Sequence, residues 1–311
     1  MTEAAEQFDQ YRAHLRSVAF RMLGSADDAD DAVQEAWLKS WRAETRAEAG
    51  TRAGTGARTG ADSLPVENMR AWLTTIVSRV CLDMLRARQV RREELTGAPI
   101  EESAGIASPG PEDEVILDED VGRAMLVILD RLGPEERVAF VLHDLFGVPF
   151  SEIGPVVDRT SATAKKLASR ARLRCHGAAP APESDVAAAR EIIRAFLAAS
   201  RSGDIEALLR LLAPDIVRRA DRIALPDGPL VLRGADDVAG ETRGNAARAR
   251  HADLALVNGA AGVIVAPAGR LRLVIEVTIG DDGRITGLNV IGDPARLRDT
   301  ALNVFPDEKA D

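Results

Sequence analysis

The period of the apolar residues changes once along this chain, and the change separates two kinds of fold. Before the stretch GAAPAPESD (177–185), apolar side chains return every three or four positions. Phe8, Tyr11, Leu15, Val18, Ala19 and Met22 form one such stripe, Val33, Ala36, Trp37 and Trp41 a second, and Met69, Trp72, Leu73, Ile76, Val80 and Met84 a third. These predict amphipathic helices over 5–23, over the segment DADDAVQEAWLKSW (28–41) and over 68–90. Further helices are expected at 115–131 and 135–145, the latter opened by Pro134. After the Pro- and Ala-rich stretch come a helix from Val186 to Ser200 and a second helical run, DIEALLRLLAPDI. The runs HADLALVNG, AGVIVAPAG, RLRLVIEVTIG and GRITGLNVIG then alternate as strands do, with DDG at 281–283 as a hairpin turn. The fold class expected is multidomain: two all-α domains followed by an α+β domain with a curved antiparallel sheet. The 311 residues suit two or three domains.

Charge is unevenly distributed. The net charge of −9 argues against a polyanion partner only as an average. Arg70, Arg79, Arg86, Arg88, Arg91 and Arg92 face a single acid, Asp83, within 70–92. Arg159, Lys165, Lys166, Arg170, Arg172 and Arg174 have no acid among them within 159–174. The segment 93–120 between them carries Glu and Asp and no base. Two basic blocks joined by an acidic tether point to two polyanion contacts and a segment that avoids polyanions or imitates one.

The second basic block sits in FGVPFSEIGPVVDRTSATAKKLASRARLR, which reads as helix, short turn, helix, with Thr160 or Ser161 as the cap of the second helix. A helix–turn–helix places the start of its second helix at base edges. Ser161, Thr163, Lys165 and Lys166 stand there, and Arg170, Arg172 and Arg174 follow where phosphates lie. The competing reading is a helical hairpin with a solvated basic face. Pro155 falls within the first helix of the pair and is tolerated if that helix begins near Ser151. On the 68–90 helix, Trp72 is either core or a platform on which a base can stack. Cys81 and Cys175 lie in expected helices, lack metal-ligand spacing to a histidine and read as packing residues in a reduced cytosolic setting. No metal or other cofactor is expected. No run approaches the roughly 20 apolar residues that span a bilayer, and the start MTEAAEQF has no signal-peptide character.

Taken in order, these blocks resemble bacterial sigma factors of the extracytoplasmic-function group. DADDAVQEAWLKSW resembles region 2.2, which docks on the clamp of RNA polymerase, NMRAWLTTIVSRVCLDMLRARQVRRE resembles regions 2.3 and 2.4, which melt and read the −10 element, and the segment from Leu129 to Arg174 resembles region 4, which reads the −35 element. The resemblance implies core-polymerase contacts at Asp28, Asp31, Gln34 and Glu35. It implies −10 contacts at Arg70, Trp72, Arg79 and Arg86, and −35 contacts at Ser161, Thr163, Lys165, Lys166, Arg170 and Arg172. It implies a cytoplasmic factor whose partners are RNA polymerase core and promoter DNA, with no membrane partner and no catalytic residue. The expected boundaries are a region 2 domain at 1–92 with a disordered insertion at 44–65, an acidic linker at 93–114, a region 4 domain at 115–177, a hinge at 178–184, an α+β domain at 185–304 and a tail at 305–311. The sequence departs from the family at Arg79, where many members carry Asn, and in the length of the insertion.

The last domain resembles the SnoaL-like branch of the cone-shaped α+β fold, which a subgroup of these sigma factors carries as a modulating extension. The subgroup's motifs survive in part, at Asp227 and Gly228 in LPDGPL and at Asp293, Pro294, Arg296 and Leu297 in GDPARL, and these are the regulatory candidates. Relatives of this fold hold ligands and carry out acid–base chemistry in their pockets. That leaves open a small ligand here, or the alternative of a cyclase- or isomerase-type enzyme fused to DNA-binding segments, with His251, Asp221, Asp253 and Glu276 as candidate pocket groups. A one-component repressor would not need the 26–92 block. The stripe Leu297, Ala301 and Phe305 either contacts the sigma domains or closes the base of the cone.

Overall fold

The computed structural model describes residues 2–52, 69–95, 122–176 and 183–305. The inner part of the insertion, most of the acidic linker, most of the hinge and the end of the tail lie outside these, and Glu183 and Ser184, expected in the hinge, begin α8. In chain order the longer elements are α1 (Thr2–Leu23), α2 (Ala26–Arg52), α3 (Met69–Leu95), α4 (Arg123–Asp130), α5 (Pro134–Phe140), α6 (Phe150–Val156), α7 (Ser161–His176), α8 (Glu183–Ser202) and α9 (Ile205–Leu211). There follow β1 (Leu212–Ala220), β2 (Val231–Arg233), α10 (Ala235–Gly244), α11 (Ala246–Ala249), β3 (Ala252–Val257), β4 (Ala260–Val265), β5 (Leu273–Ile279), β6 (Ile285–Ile291), α12 (Pro294–Asp299) and β7 (Leu302–Asn303). Packing divides the chain into two compact units, Met1–Ala107 with Leu132–Ala171, and Ser108–Arg131 with Arg172–Asp311.

In the first unit, α1, α2 and α3 bury Leu15, Val18, Ala19, Met22, Ala29, Val33 and Ala36 against Leu73, Val77, Val80, Cys81 and Leu85. Gly24, at φ 73°, ends α1 in the left-handed conformation that suits glycine. Ser25 then accepts the Asp28 amide at 3.3 Å and opens α2. Three expectations need correcting. The helical run of α2 continues to Arg52, so residues 44–52 are helix rather than part of a disordered insertion. The buried face of α3 is turned about one residue from the expected stripe, so Met69, Trp72, Ile76 and Met84 are only half-buried. Thr74 and Ser78 take the inner positions because their hydroxyls donate to the carbonyls of Arg70 and Thr74, at 2.7 and 2.6 Å, and so arrive satisfied. The expected 135–145 helix is also two pieces: α5 gives way to a π-helical turn at Val141–Leu145.

In the second unit, the described strands form one curved sheet in the order β2-β1-β6-β5-β4-β3-β7. It is mixed and not antiparallel throughout, since β1 runs parallel to β6. The segment LAPDI, expected to finish a helix, is the start of β1. Asn258 and Gly259, at φ 52° and 84°, turn β3 directly into β4. Gly280 and Gly283 form the expected turn between β5 and β6, the Gly280 amide donating to Arg284 at 2.8 Å. The register of β6 shifts against β5 at Thr278/Ile279 and against β1 between Leu212 and Val217, and such irregularities bend a sheet. Two apolar clusters pack helices against the sheet. One joins Ile193, Leu197, Leu254, Val263 and Phe305, and the other joins Phe196, Leu208, Ile216, Val238 and Leu288. Helix α4 packs against β3 and β7 of this unit.

Candidate nucleic-acid interface

Helix α7 is sorted by residue size. Ala164, Ala168, Ala171 and Cys175 are fully buried and recur at helical spacing, which lets the helix lie close to its neighbours. Lys165, Lys166, Arg170, Arg172 and Arg174 occupy the opposite, exposed side with Ser161, while Thr163 is half-buried. Thr160 is the cap: its hydroxyl oxygen accepts the Thr163 amide at 3.2 Å and lies 3.0 Å from the Thr163 hydroxyl. The turn before α7 is tight. A Cβ on Gly154 would stand 2.8 Å from the Arg159 carbonyl oxygen, and Asp158 takes φ 55° to reverse the chain. Pro155 is the sixth residue of α6, so only the last turn of a short helix forgoes its amide bond. The result is a small-residue hinge between two helices and a basic, polar edge on the second, the arrangement that enters a DNA major groove.

The arginines of α3 stand in a different environment. Arg79 donates to the Pro155 carbonyl at 3.2 Å. Arg86 pairs with Glu135 at 2.7 Å and lies 3.7 Å from Asp158. Arg159 reaches the same Glu135 at 3.4 Å. Arg70 is exposed, and its guanidinium donates to His14 Nδ1 at 3.1 Å. His14 meets Phe146 edge-on at 5.5 Å, and the Arg21 guanidinium sits 4.9 Å from the centre of the same ring. Thus Arg79 and Arg86 are held by α5, α6 and the turn before α7, and His14 and Arg21 by the chain just after the π turn. No local pattern signals Glu135, Asp158 or the Pro155 carbonyl as partners, because each lies 49 or more positions away from the residue it meets on α3.

On α2, Asp31 and Gln34 are exposed and Glu35 is half-buried beside Lys39 at 3.7 Å. Asp28 is paired with Arg88 of α3 at 2.5 Å, and Asp30 is paired with Arg16 of α1. The acids of this helix therefore divide, some tying the helix bundle and some facing outward. Trp37 packs on Phe8 with ring centres 4.8 Å apart, and Trp41 stands 6.0 Å from Trp37.

Comparison with known proteins bears on this geometry directly. Residues 7–55 match the model of Sigma-70 region 2, and residues 122–175 match that of Sigma-70 region 4. The ECF RNA polymerase sigma factor SigJ of Mycobacterium tuberculosis is 37% identical over 270 residues, covering 84% of this chain and 80% of that protein. The chain belongs to the ECF RNA polymerase sigma factors. The probable ECF sigma factor SigI of the same species is 33% identical over 300 residues, 92% of each chain. The crystal structure of SigJ aligns over 94% of this chain and 98% of its own, at 30% identity and a TM-score of 0.42.

In this sigma factor the two ends of the region 4 match are fastened to the C-terminal extension, within the second unit. Asp253 accepts the Ala124 amide at 3.1 Å, at the start of α4. Arg131, one residue beyond α4, donates to the carbonyls of Thr300 and Leu297 at 2.6 and 2.9 Å, where a cation meets the C-terminal end of α12. At the end of α7, the Val304 amide donates to the Cys175 carbonyl at 2.9 Å and Asn303 to that of Arg174 at 3.0 Å. Arg131 was not among the sequence candidates; a lone arginine before LGPEE carries no pattern that distinguishes it.

The two motif remnants of the extension meet at Asp221. Its carboxylate accepts the amides of Ala224, Gly292 and Asp293 at 2.8, 2.8 and 3.0 Å, and Arg296 lies 3.8 Å away. Burial alone would raise this carboxyl, but the amides and Arg296 outweigh it and hold it below the usual range. Asp293 caps α12 through the amides of Ala295 and Arg296, with Pro294 in the first helical position. Gly228 lies against the Leu225 side chain, which a Cβ would overlap, and Asp227 is exposed. Leu297 is buried, Phe305 belongs to the core of the cone and Ala301 is exposed, so the apolar stripe of the tail closes the cone. The remaining candidate acids are engaged in framework contacts: Glu276 accepts from Asn258 at 3.0 Å and from Asn289 at 2.7 Å. Cys81 is buried, which pushes its thiol up to about 12 and leaves it inert; Cys175 is buried as well. No helix among the described residues is long and apolar enough to cross a membrane, and no group of three or more His, Cys, Asp or Glu among them can hold a metal ion.

Proposed function

We propose that this sigma factor binds core RNA polymerase in the cytoplasm and directs it to promoters, with no catalytic residue of its own. The observation that carries the reading is the sorting of α7, small residues inward and Lys165, Lys166, Arg170 and Arg172 outward, behind a glycine that the tight turn requires. Ser161, Thr163, Lys165 and Lys166 then read −35 base edges, and Arg170 and Arg172 hold phosphates. Asp31, Gln34 and Glu35 of α2 supply the outward face for the polymerase clamp, with Asp28 held back by Arg88. Arg70, Trp72, Arg79 and Arg86 serve the −10 element. Arg79 and Arg86 are engaged by region 4 residues, so promoter engagement begins with the parting of these contacts.

The extension modulates region 4 through the ties at Asp253, Arg131 and Asn303, and its interior offers room for a small ligand. Promoter-specific transcripts from purified core enzyme and this chain test the sigma reading. Failure to yield them, together with failure of a truncation ending near Pro182 to bind core, would overturn it.

A further inference from the structure

The extension holds a cavity of about 120 Å³ between α8, α10 and the sheet. Apolar side chains make most of its wall, among them Phe196, Leu197, Val263, Ile275 and Leu288. An apolar protein cavity of roughly 150 Å³ takes up benzene, so the space fits one ring and little more.

The polar groups on the wall define what the ring must carry. Arg218 is only 2% exposed. Its Nε donates to Glu241 at 2.8 Å, its Nη2 donates to the other oxygen of that carboxylate, and its Nη1 donates to the Pro229 carbonyl at 2.8 Å. The pair is neutral as a whole, and the further charge on the lining, Arg248, is exposed to water, so a charged group carried into the apolar interior would meet no opposite charge there. The Ser200 hydroxyl donates to the Phe196 carbonyl and the Thr242 hydroxyl to that of Val238, each at 2.7 Å. The Asn245 amide nitrogen donates to the Glu241 carbonyl at 3.0 Å. With those hydrogens committed, the hydroxyls of Ser200 and Thr242 have only lone pairs left to offer, and Asn245 has its carbonyl oxygen. The wall is rich in acceptors.

We propose that this cavity binds a neutral, one-ring apolar molecule bearing a hydroxyl or N–H donor, a ligand of the phenol or benzyl alcohol class. The assignment rests on the reading of the extension as a modulator only for its consequence; the binding itself is independent of transcription.

Titration of the full-length chain with phenol, benzyl alcohol, toluene, benzoate and benzylamine, followed by NMR shifts and calorimetry, tests it. Phenol and benzyl alcohol should saturate a single site several-fold more tightly than toluene, and the two ions should not bind. Ala252→Leu fills the cavity and should abolish binding. Thr242→Val and Ser200→Ala keep the space but remove a lone pair, and should bring phenol down to the affinity of toluene; they serve also if Ala252→Leu does not fold. No saturable binding of any neutral probe, equal binding of benzoate or benzylamine, or an unchanged phenol preference in both Thr242→Val and Ser200→Ala would overturn the assignment. A chain that binds phenol, gives no promoter-specific transcript and, truncated near Pro182, fails to bind core would refute the sigma reading alone.

Discussion

His14 carries its proton on Nε2, because the guanidinium of Arg70 can only donate and so takes Nδ1 as its acceptor, at 3.1 Å. Nε2 then donates to the Thr74 hydroxyl oxygen at 3.2 Å, and that hydroxyl donates to the Arg70 carbonyl. Burial, Arg70 and Arg21 together lower the His14 pKa from 6.5 to about 4. The unfolded chain therefore takes up this proton first as pH falls. The stability that neutral His14 confers is complete above pH 6.5 and is lost between there and about 4. A thermal melt followed against pH should show the midpoint falling across that window, and His14→Gln should make the fall shallower. If the slope is unchanged in the variant, another group sets it. Protonation of the folded chain would also break the bond from Arg70, so the arginine proposed for the −10 element is released only as pH falls through about 4.

At the scale of elements, α4 is a short helix held from outside at both ends, by Asp253 and by its follower Arg131 with the carbonyls of Leu297 and Thr300. Hydrogen bonds to a charged group contribute roughly 1.5–3 kcal/mol. Arg131→Gln should lower hydrogen-exchange protection over 123–130 while the strands of the cone keep theirs, because their clusters are built without α4. Equal loss in both would mean that α4 is part of the cone's own stability. Helix α7 offers a second comparison. Lys165→Ala should cost about 1–3 kcal/mol of −35 binding and change base preference, whereas Arg172→Ala should weaken all sequences alike and flatten the salt dependence. Measurement by anisotropy on matched and altered duplexes separates the two, and the same response from both variants would displace the recognition edge.

Most of these elements were legible in the sequence. The α1 stripe, the Thr160 cap and the strands β3 to β6 follow from period and cap chemistry, and Asn258-Gly259 is a hairpin signal in its own right. Three features escaped for physical reasons. Leu208, Leu211 and Leu212 continue a helical spacing across the boundary into β1, and only pairing with β6 decides where the helix stops. Thr74 and Ser78 sit inside α3 because they satisfy themselves on its own backbone, which polarity alone does not foretell. Asp221 joins LPDGPL to GDPARL across 70 or so residues, a convergence that no local pattern encodes.

For the whole molecule, the net charge of −9 conceals two basic edges in different circumstances. That of α7 is open. That of α3 is partly spent on Glu135, Asp158 and the Pro155 carbonyl. These pairs are half-exposed, and such bridges contribute under about 1 kcal/mol each. The contact is thus weak enough for polymerase or DNA to displace. Neutralising it with Glu135→Gln and Asp158→Asn should raise affinity for a −10 strand by several-fold at low salt and leave it nearly unchanged at high salt. A double variant that binds no better at low salt would show that the arginines were already available.

The tie from Arg131 to Thr300 spans 169 positions, and the chain leaves the ribosome from its N-terminus. At roughly 5–20 residues per second, the partners of α4 emerge about 10–30 s after α4 itself. The −35 reader is therefore finished only when the extension is nearly complete. A nascent or prematurely terminated chain would hold a formed region 2 with a region 4 lacking its fastenings, so any restraint that the extension places on region 4 arrives only at the end of translation.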